Sequence, residues 1–309
     1  MPVWNQTHFP LTASMLMRLT FVLLLIAVLD ANQAWALTVD IDAPESVKPM
    51  LSQYLETARA ARLKEQPDEI ELARLRAKSL ETARDLLATE GYFSPQIATE
   101  LKAEGREPVL RYKVTPGPRT LVRSVSVEFS GGLAEPGGDN PARQDKIRQS
   151  FPLKPGMPFR QADWDTAKSQ LLRALLTDTY PAAELTASEA RIDPATLSAD
   201  LSIRVESGPA FYYGTQTISG NQRYPLSIIR DLSSLQPGQP YRQQQVLDYK
   251  AALESSGYFA QALVRIDFDP ANAAAVPVRV EVVEQLEKRF TVGIGTSTDT
   301  GPRVQLGLL

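Results

Sequence analysis

The strongest constraint on the fold is an order of predicted strands and helices that recurs along the chain. Two copies share a Pro-Gly-x-Pro turn, which ends in the aromatic residue Phe159 in one copy and in Tyr241 in the other. These two aromatic residues lie 82 residues apart, whereas Tyr180 and Tyr258 lie 78 residues apart. The difference is about one helical turn, which lengthens a helix while keeping its buried face. Such a period indicates repeated supersecondary units rather than one large core.

Each copy predicts the element order β-α-α-β-β. Alternating apolar and polar residues predict the strands of each copy. These are 37–41, 96–101 and 109–114 in the first copy, 124–129, 183–191 and 199–205 in the second, and 211–218, 262–268 and 276–282 in the third. Loops rich in proline and glycine close each copy, and their prolines restrict bending between copies.

The helices of the repeats show an apolar face and a shared ending. Val47, Leu51, Tyr54 and Leu55 are spaced as one buried face of a single helix. The longer helix of the first and third copies ends in Gly-Tyr-Phe, at 91–93 and 257–259. Glycine there accepts the left-handed conformation that stops a helix, and we expect the aromatic pair to fill the core. The second copy has Thr179 in place of the glycine.

The last segment, 286–309, alternates apolar residues with small or polar ones on both sides of a turn. This pattern is typical of a transmembrane β-barrel hairpin with one face toward lipid. The alternative is an ordinary soluble hairpin, half buried. On the barrel interpretation the lipid-facing candidates are Phe290, Val292, Ile294, Val304 and Leu306.

The first 36 residues predict a signal peptide. An apolar run at 19–29 follows Arg18, and Ala34-Trp35-Ala36 forms a small-x-small cleavage site, so the mature chain is expected to begin at Leu37. The run is shorter than the ~20 residues of a transmembrane helix. An uncleaved inner-membrane anchor is the alternative.

Composition narrows the chemistry. A net charge of −3 and a pI of about 5.5 argue against nucleic-acid binding, which favours basic surfaces. With no cysteine and with His8 as the one histidine, the mature chain lacks thiolate and histidine chemistry. The acidic residues are scattered, and no nucleophile–base set stands out. We therefore expect no catalytic residues, no cofactor and no metal, and a protein that is not an enzyme.

Three tandem β-α-α-β-β units behind a signal peptide resemble the POTRA domains of the Omp85 superfamily. The segment 210–221 looks like the opening strand of such a domain, and 292–304 resembles the first barrel hairpin of the TamA branch. The resemblance implies an α+β chain with POTRA domains at 37–117, 118–208 and 209–285. The incomplete start of a barrel would then occupy 286–309. Two strands cannot close a barrel, so we expect a truncated part of a longer protein.

The resemblance also implies a function in the outer membrane of a Gram-negative bacterium, with the POTRA domains in the periplasm. The expected role is assembly of outer-membrane β-barrel proteins and secretion of autotransporters. Its partners would be unfolded outer-membrane clients, a TamB-like protein anchored in the inner membrane, and membrane lipid. The alternatives are a polypeptide transporter of the two-partner secretion type and a soluble periplasmic binding or chaperone module.

The open edge of each three-stranded sheet is the expected binding site. An extended client can add to an edge strand through backbone hydrogen bonds, largely independent of its sequence. The edges expected from the final hairpins are 96–101, 183–191 and 262–268. The candidate residues are Gln96, Ile97, Thr99, Leu101, Leu263, Arg265 and Asp267. Alternatively, charged side chains such as Arg265 and Asp267 protect these edges from pairing.

Overall fold

The structure is a computed structural model that describes residues 37–65, 67–104, 107–137, 140–286, 290–297 and 301–308. The chain divides into two compact units, Met1–Pro118 and Arg119–Leu309. The first unit contains one β-α-α-β-β repeat, and the second contains two further repeats and a hairpin. The predicted signal peptide, including Ala36, lies outside the described residues.

The first repeat builds a three-stranded sheet from three strands and three helices. Its elements are β1 (Thr38–Asp42), α1 (Lys48–Tyr54), α2 (Glu56–Arg62), α3 (Glu69–Thr89), β2 (Gln96–Glu104) and β3 (Glu107–Thr115). β3 lies in the centre of the sheet, parallel to β1 and antiparallel to β2. The long helix α3 begins at Asp68, whose carboxylate accepts a hydrogen bond from Glu71 N at 2.7 Å, as an N-cap should.

The predicted single helix at the start of the first repeat is broken in two. Leu55 separates α1 from α2 with an extended backbone, φ −64° and ψ 134°. Val47, Leu51 and Leu55 are fully buried as predicted, but Tyr54 is 56% exposed. The prediction for Tyr54 was wrong because the break turns the last residue of α1 away from the core.

The second and third repeats repeat this architecture in the second compact unit. The second comprises β4 (Leu121–Ser130), α4 (Asn140–Ser150), α5 (Gln161–Leu176), β5 (Glu184–Asp193) and β6 (Ser198–Glu206). The third comprises β7 (Tyr213–Ser219), α6 (Leu226–Asp231), α7 (Gln243–Ser255), β8 (Phe259–Ile266) and β9 (Val276–Glu284). The sheet orders are β4-β6-β5 and β7-β9-β8, the same as in the first repeat.

The central strand of each sheet explains why the fold forms. In β9, Val276, Val278, Val280 and Val282 are all buried, while the residues between them face outward or lie at the rim. This period of two is that of a strand packed on one face, and the helices of the repeat cover that face. The predicted α+β class with three β-α-α-β-β repeats is confirmed.

The second and third repeats are joined by backbone hydrogen bonds. Thr179 N donates to Tyr241 O at 2.8 Å, and Phe211 N donates to Thr179 O at 2.8 Å. Gln243 N donates to Thr177 O at 2.9 Å. A short piece of the second repeat therefore continues the strand pairing of the third, which accounts for the single compact unit.

The last segment forms an antiparallel hairpin of β10 (Phe290–Ser297) and β11 (Gly301–Leu308). Its register pairs Ile294 with Val304 and Val292 with Leu306. In the part of the chain that the structure describes, no helix is both long and apolar enough to cross a membrane.

Candidate functional site: the open sheet edges

Every three-stranded sheet leaves two strands with one open side. Because β3, β6 and β9 are central, the edge strands are β1 and β2, β4 and β5, and β7 and β8. The starts of β4 and β7 are already paired on their outer side, since Val122 N donates to Met157 O and Tyr213 N donates to Gln239 O. An open strand carries unpaired N–H and C=O groups to which an extended chain can add. The edges expected from the sequence, β2, β5 and β8, hold these positions. The final hairpins of the repeats predict only these antiparallel edge strands. Sequence reasoning therefore missed the parallel edge strands β1, β4 and β7.

The four candidate residues of the first repeat all lie on β2. Ile97 packs partly against the core, and Thr99 is half-buried. Gln96 is exposed, and Leu101 is 50% exposed. The strand thus presents its open backbone together with at least one large apolar side chain. Binding at these residues stays a prediction.

The candidates of the third repeat are only partly on a strand. Leu263 and Arg265 lie on β8 with exposed side chains. β8 ends at Ile266, so the predicted strand to residue 268 is too long and Asp267 is not an edge residue. The backbone turns there, because Asp269 N donates to Asp267 O at 2.9 Å.

On the open side of β8, a glutamate side chain from α7 already accepts a backbone hydrogen bond. Ala262 N donates to Glu254 Oε1 at 3.2 Å, and Glu254 Oε2 pairs with Lys250 Nζ at 2.8 Å. The Lys250 ammonium and the Ala262 N–H lower the pKa of Glu254. Since strand residues alternate in direction, Val264 and Ile266 also direct their backbone groups outward. An added strand at β8 therefore has to displace one carboxylate.

The edge of the second repeat is irregular and charged. The register of β5 shifts between Leu185 and Ala187, which is a bulge in the ladder. Glu189 and Arg191 pair along the strand at 3.3 Å. Bulges and charges are the usual means by which proteins blunt edges. This edge is less open to an added strand than the simple topology suggests.

The hairpin candidates expose apolar side chains where their side chains are described. Val292, Ile294 and Val304 are well exposed, Ile294 by 82%. The side chains of Phe290 and Leu306 lie outside the described residues. Exposed valine and isoleucine on neighbouring strands leave an apolar face without a protein partner in the described chain.

The structure shows where the predicted first mature residue and the residues of the Gly-Tyr-Phe corners lie. Leu37, the predicted first mature residue, is buried in the first core. The prediction that the Gly-Tyr-Phe corners fill the core holds for Phe259, which is 2% exposed. It is wrong for Tyr258, whose ring instead meets Tyr224 at the surface with centroids 5.0 Å apart. Tyr92 packs partly against the first core.

A buried polar cluster in the first repeat escaped sequence reasoning. Thr57 Oγ1 lies 2.9 Å from Tyr112 Oη, and Thr57 N donates to Ser79 Oγ at 3.0 Å. All three residues are fully buried, and burial raises the pKa of Tyr112 despite its hydrogen bonds. Hydroxyl groups such as these can take part in catalysis, but water and substrate cannot reach these three because they are buried. The cluster fixes α2 and α3 on the sheet.

A cleft of about 700 Å³ lies where the second and third repeats meet. The polar side chains in and beside this cleft form hydrogen bonds and ion pairs with one another. Tyr180 Oη donates to Asn140 Oδ1 at 3.0 Å, and Arg143 Nη1 lies 3.7 Å from Asp178 Oδ2 and over the Tyr180 ring. Among the described residues no group of three or more acidic or histidine side chains could hold a metal ion.

A comparison with known protein families finds a match for the third repeat. The family model "POTRA: Surface antigen variable number repeat" matches residues 211–285. This segment is a POTRA domain. The match begins just before β7 and ends directly after β9, so it covers the β-α-α-β-β order of the third repeat.

A longer match extends the relationship to most of the chain. The chain is 21% identical over 239 residues to "Outer membrane protein assembly factor BamA" of Neisseria meningitidis serogroup B. The matched region is 75% of this chain and 28% of that protein. The chain thus spans little more than a quarter of the relative's length. Together the two matches support homology with the Omp85/BamA superfamily. They do not separate its branches, so the TamA branch stays a prediction.

Solved structures that resemble this chain include POTRA domains of BamA and two CdiB proteins. POTRA3-5 of Haemophilus influenzae BamA is 22% identical, with a TM-score of 0.40 and coverage of 81% of this chain and 96% of that one. CdiB from Acinetobacter baumannii is 12% identical, with a TM-score of 0.34 and coverage of 77% and 42%. At these scores the superpositions are loose, and the topology above rests on this chain alone.

Proposed function

We propose that this chain is the polypeptide-binding arm of an outer-membrane protein assembly or transport factor. The observation that carries the proposal is the homology of three-quarters of the chain with an outer-membrane protein assembly factor. The series of β-α-α-β-β repeats with open edge strands supplies a physical means of binding. Backbone pairing is largely independent of side chains, which suits a factor with many unfolded clients.

The finer proposal is a TamA-like factor with a TamB-like partner in the inner membrane. It acts in the periplasm, with the hairpin 290–308 as the start of a lipid-embedded barrel. The exposed Val292, Ile294 and Val304 favour this placement over a half-buried soluble hairpin. Clients are outer-membrane β-barrel proteins and autotransporters. The first repeat, farthest along the chain from the hairpin, binds the inner-membrane partner.

The experiment is a pull-down from cross-linked Gram-negative cells that express the tagged chain. A matched variant lacks residues 37–115 and keeps the second compact unit, which begins at Arg119. We expect outer-membrane clients with both chains, and the TamB-like protein with the complete chain alone.

The outcomes separate the proposals. Recovery of one secreted polypeptide and no inner-membrane protein favours a two-partner transporter. Recovery of soluble periplasmic proteins, with the chain itself absent from the outer-membrane fraction, favours a soluble chaperone module. Recovery of neither clients nor partner overturns the assembly function.

A further inference from the structure

The central strand of each sheet carries an arginine on its outer face, the face that the helices of the repeat do not cover. In the first sheet Arg111 lies opposite Asp40 and Glu100, and its Nε is 2.8 Å from Asp40 Oδ2. In the second sheet Arg204 lies opposite Glu128, with its Nε 3.2 Å from Glu128 Oε2. A carboxylate on a neighbouring strand therefore neutralises the arginine in both of these sheets.

The third sheet places a second arginine where the other two sheets have a carboxylate. Arg279 of β9 lies opposite Thr217 of β7 on one side and opposite Arg265 of β8 on the other. Directly opposite residues of an antiparallel pair have Cβ atoms about 5 Å apart, and like charges in such a pair destabilise the sheet. Both arginines are exposed. We call Arg265 and Arg279 the arginine pair.

The arginine pair has no carboxylate partner. Among the residues that the structure describes, neither guanidinium group forms an ion pair, although Asp267 and Glu281 each follow one of the arginines by two residues. Two adjacent guanidinium groups without a counterion favour an anion with several oxygens. Phosphate meets this requirement, because its oxygens accept paired hydrogen bonds from the planar guanidinium group. The hydroxyl of Thr217, in the same row of the sheet, is a further donor.

The same face of the sheet carries exposed apolar side chains. Leu263 of β8 and Val283 of β9 are 38% and 57% exposed, and both line a cavity of about 570 Å³. Val283 follows Arg279 on β9, the strand that leads into the hairpin of β10 and β11, so it lies nearer to the hairpin along the chain. Exposed apolar side chains beside basic ones suit a lipid surface, in which the former enter the interface and the latter reach the phosphates.

We propose that the outer face of the third sheet binds the surface of a phospholipid membrane, with the arginine pair on a lipid phosphate group. Leu263 and Val283 contact the apolar part of the interface beside it. Side chains of the sheet face make these contacts, and the backbone ladder gains no strand. The site rests on the proposed function for the membrane on which it acts, which is the one that holds the hairpin 290–308.

The test measures flotation of the full chain with vesicles of equal parts phosphatidylglycerol and phosphatidylcholine. Changing both members of the pair, Arg265→Gln with Arg279→Gln, should weaken binding about thirtyfold, since each basic side chain at such a surface contributes about fivefold. The matched control changes Arg191→Gln with Arg204→Gln, two exposed arginines on the outer face of the second sheet. It removes the same charge and should weaken binding less than about threefold.

Two further variants test the sign of the charge and the apolar contact. Glu281→Gln removes a negative charge beside the arginine pair and should strengthen binding several-fold. Val283→Ser should weaken binding several-fold, because it removes an apolar side chain from the interface. Leu247→Ser, at a leucine of α7 that is 50% exposed, is the control and should leave binding unchanged.

Single fluorescent labels locate the contact, since the chain has no cysteine of its own. Ser219→Cys places a label on the outer face of the third sheet, and Ser126→Cys places one on that of the second. Both serines are exposed on the first strand of their sheet. Brominated lipid should quench the label at 219 and not the label at 126.

Several results would overturn the proposal. They are absence of vesicle binding, equal quenching of the two labels, and equal binding by the arginine variant and its control. Complete release from vesicles by millimolar inorganic phosphate at constant ionic strength would assign the site to free phosphate instead of a lipid surface. None of these results depends on which proteins the pull-down recovers, so the two proposals fail separately.

Discussion

At the scale of single residues, the corner after the long helix of each repeat has a left-handed backbone. Its φ is 89° at Gly91, 69° at Thr179 and 80° at Gly257. Glycine adopts this conformation without strain, whereas a β-branched residue rarely does. Thr179 is held there by the two backbone hydrogen bonds to the third repeat. The missing glycine of the second repeat is thus a strained position that the junction enforces.

Substitutions at two of these corners should have opposite effects. Gly257→Ala adds a methyl group with no atom within 4 Å, so it costs conformational strain alone, about 1 kcal/mol. Thr179→Gly removes such strain, and we expect equal or greater stability despite the lost side chain. Urea denaturation of both variants measures the free energy of unfolding. A loss above about 2 kcal/mol in Thr179→Gly would show that packing of Thr179, not strain, dominates.

Glu284 ends β9 and ties it to the loop after β7. Its Oε1 accepts hydrogen bonds from the backbone N–H groups of Gln222, Arg223 and Tyr224 at 2.7, 2.8 and 3.1 Å. Its side chain is only 10% exposed. Burial raises its pKa, but the three N–H groups and the Arg223 side chain outweigh burial and bring the pKa to about 2.

This lowered pKa predicts an acid-dependent contribution to stability. The carboxylate stabilises the fold fully above its ordinary pKa of 4.5, and the contribution disappears as pH falls through about 2. Glu284→Gln should therefore be less stable than wild type near neutral pH, with the difference shrinking between these two values. Denaturation at several pH values measures this. Glu281→Gln, at an exposed glutamate of the same strand, is the control, and a pH-independent difference would contradict the prediction.

At the scale of elements, the edges of the three sheets are not equivalent. β2 has an open backbone and β5 carries a bulge, while the edge of β8 is partly covered by Glu254 from α7. The helices also differ, since the extended residue Leu55 separates α1 from α2 in the first repeat. Similar repeats therefore differ in how accessible their edges are to an added strand, through differences of a few side chains.

Amide hydrogen exchange can test whether Glu254 protects the open edge of β8. Glu254→Ala removes the acceptor of Ala262 N–H, so exchange at Ala262 should accelerate several-fold while the buried strand β9 keeps its protection. Asp248→Ala removes a carboxylate that accepts a hydrogen bond from Gln244 on the same helix, and serves as the control. Unchanged exchange at Ala262 would mean that the contact with Glu254 does not protect this edge.

At the scale of the whole molecule, the second and third repeats behave as one body. The segment 177–179 pairs with Tyr241 and Gln243 of the third repeat, and Asp178 lies 3.9 Å from Arg242. Such a junction transmits force and resists bending more than a flexible linker does. The second and third repeats are therefore connected by backbone hydrogen bonds as well as by the chain itself.

One proline substitution tests this junction. Gln243 is the first residue of α7, where proline is tolerated, and the preceding residue has the extended backbone that proline requires. Gln243→Pro therefore removes chiefly the hydrogen bond to Thr177 O and should cost about 1 kcal/mol of unfolding free energy. Gln161→Pro, at the first position of α5, is the control and should cost less. Equal effects would show that the cross-repeat bond contributes little.

The sequence by itself determined the repeat order and the buried faces of the strands. Alternation such as that of Val276, Val278, Val280 and Val282 depends only on the two-residue period of a strand, which is a local property. The pairing of β10 with β11 follows the same two-residue period. Edge positions β2, β5 and β8 were predictable because the last hairpin of each repeat pairs locally.

The tertiary structure alone decided what depends on residues far apart in the chain. The turn of Tyr54 away from the core, the buried cluster around Thr57 and the cavity between β1 and the helices α1 and α2 all arise where separate elements meet. The second and third repeats lie in one compact unit, in which Thr177 and Thr179 pair with the third repeat. No periodicity encodes such contacts, since their energy comes from groups that only folding brings within hydrogen-bonding distance.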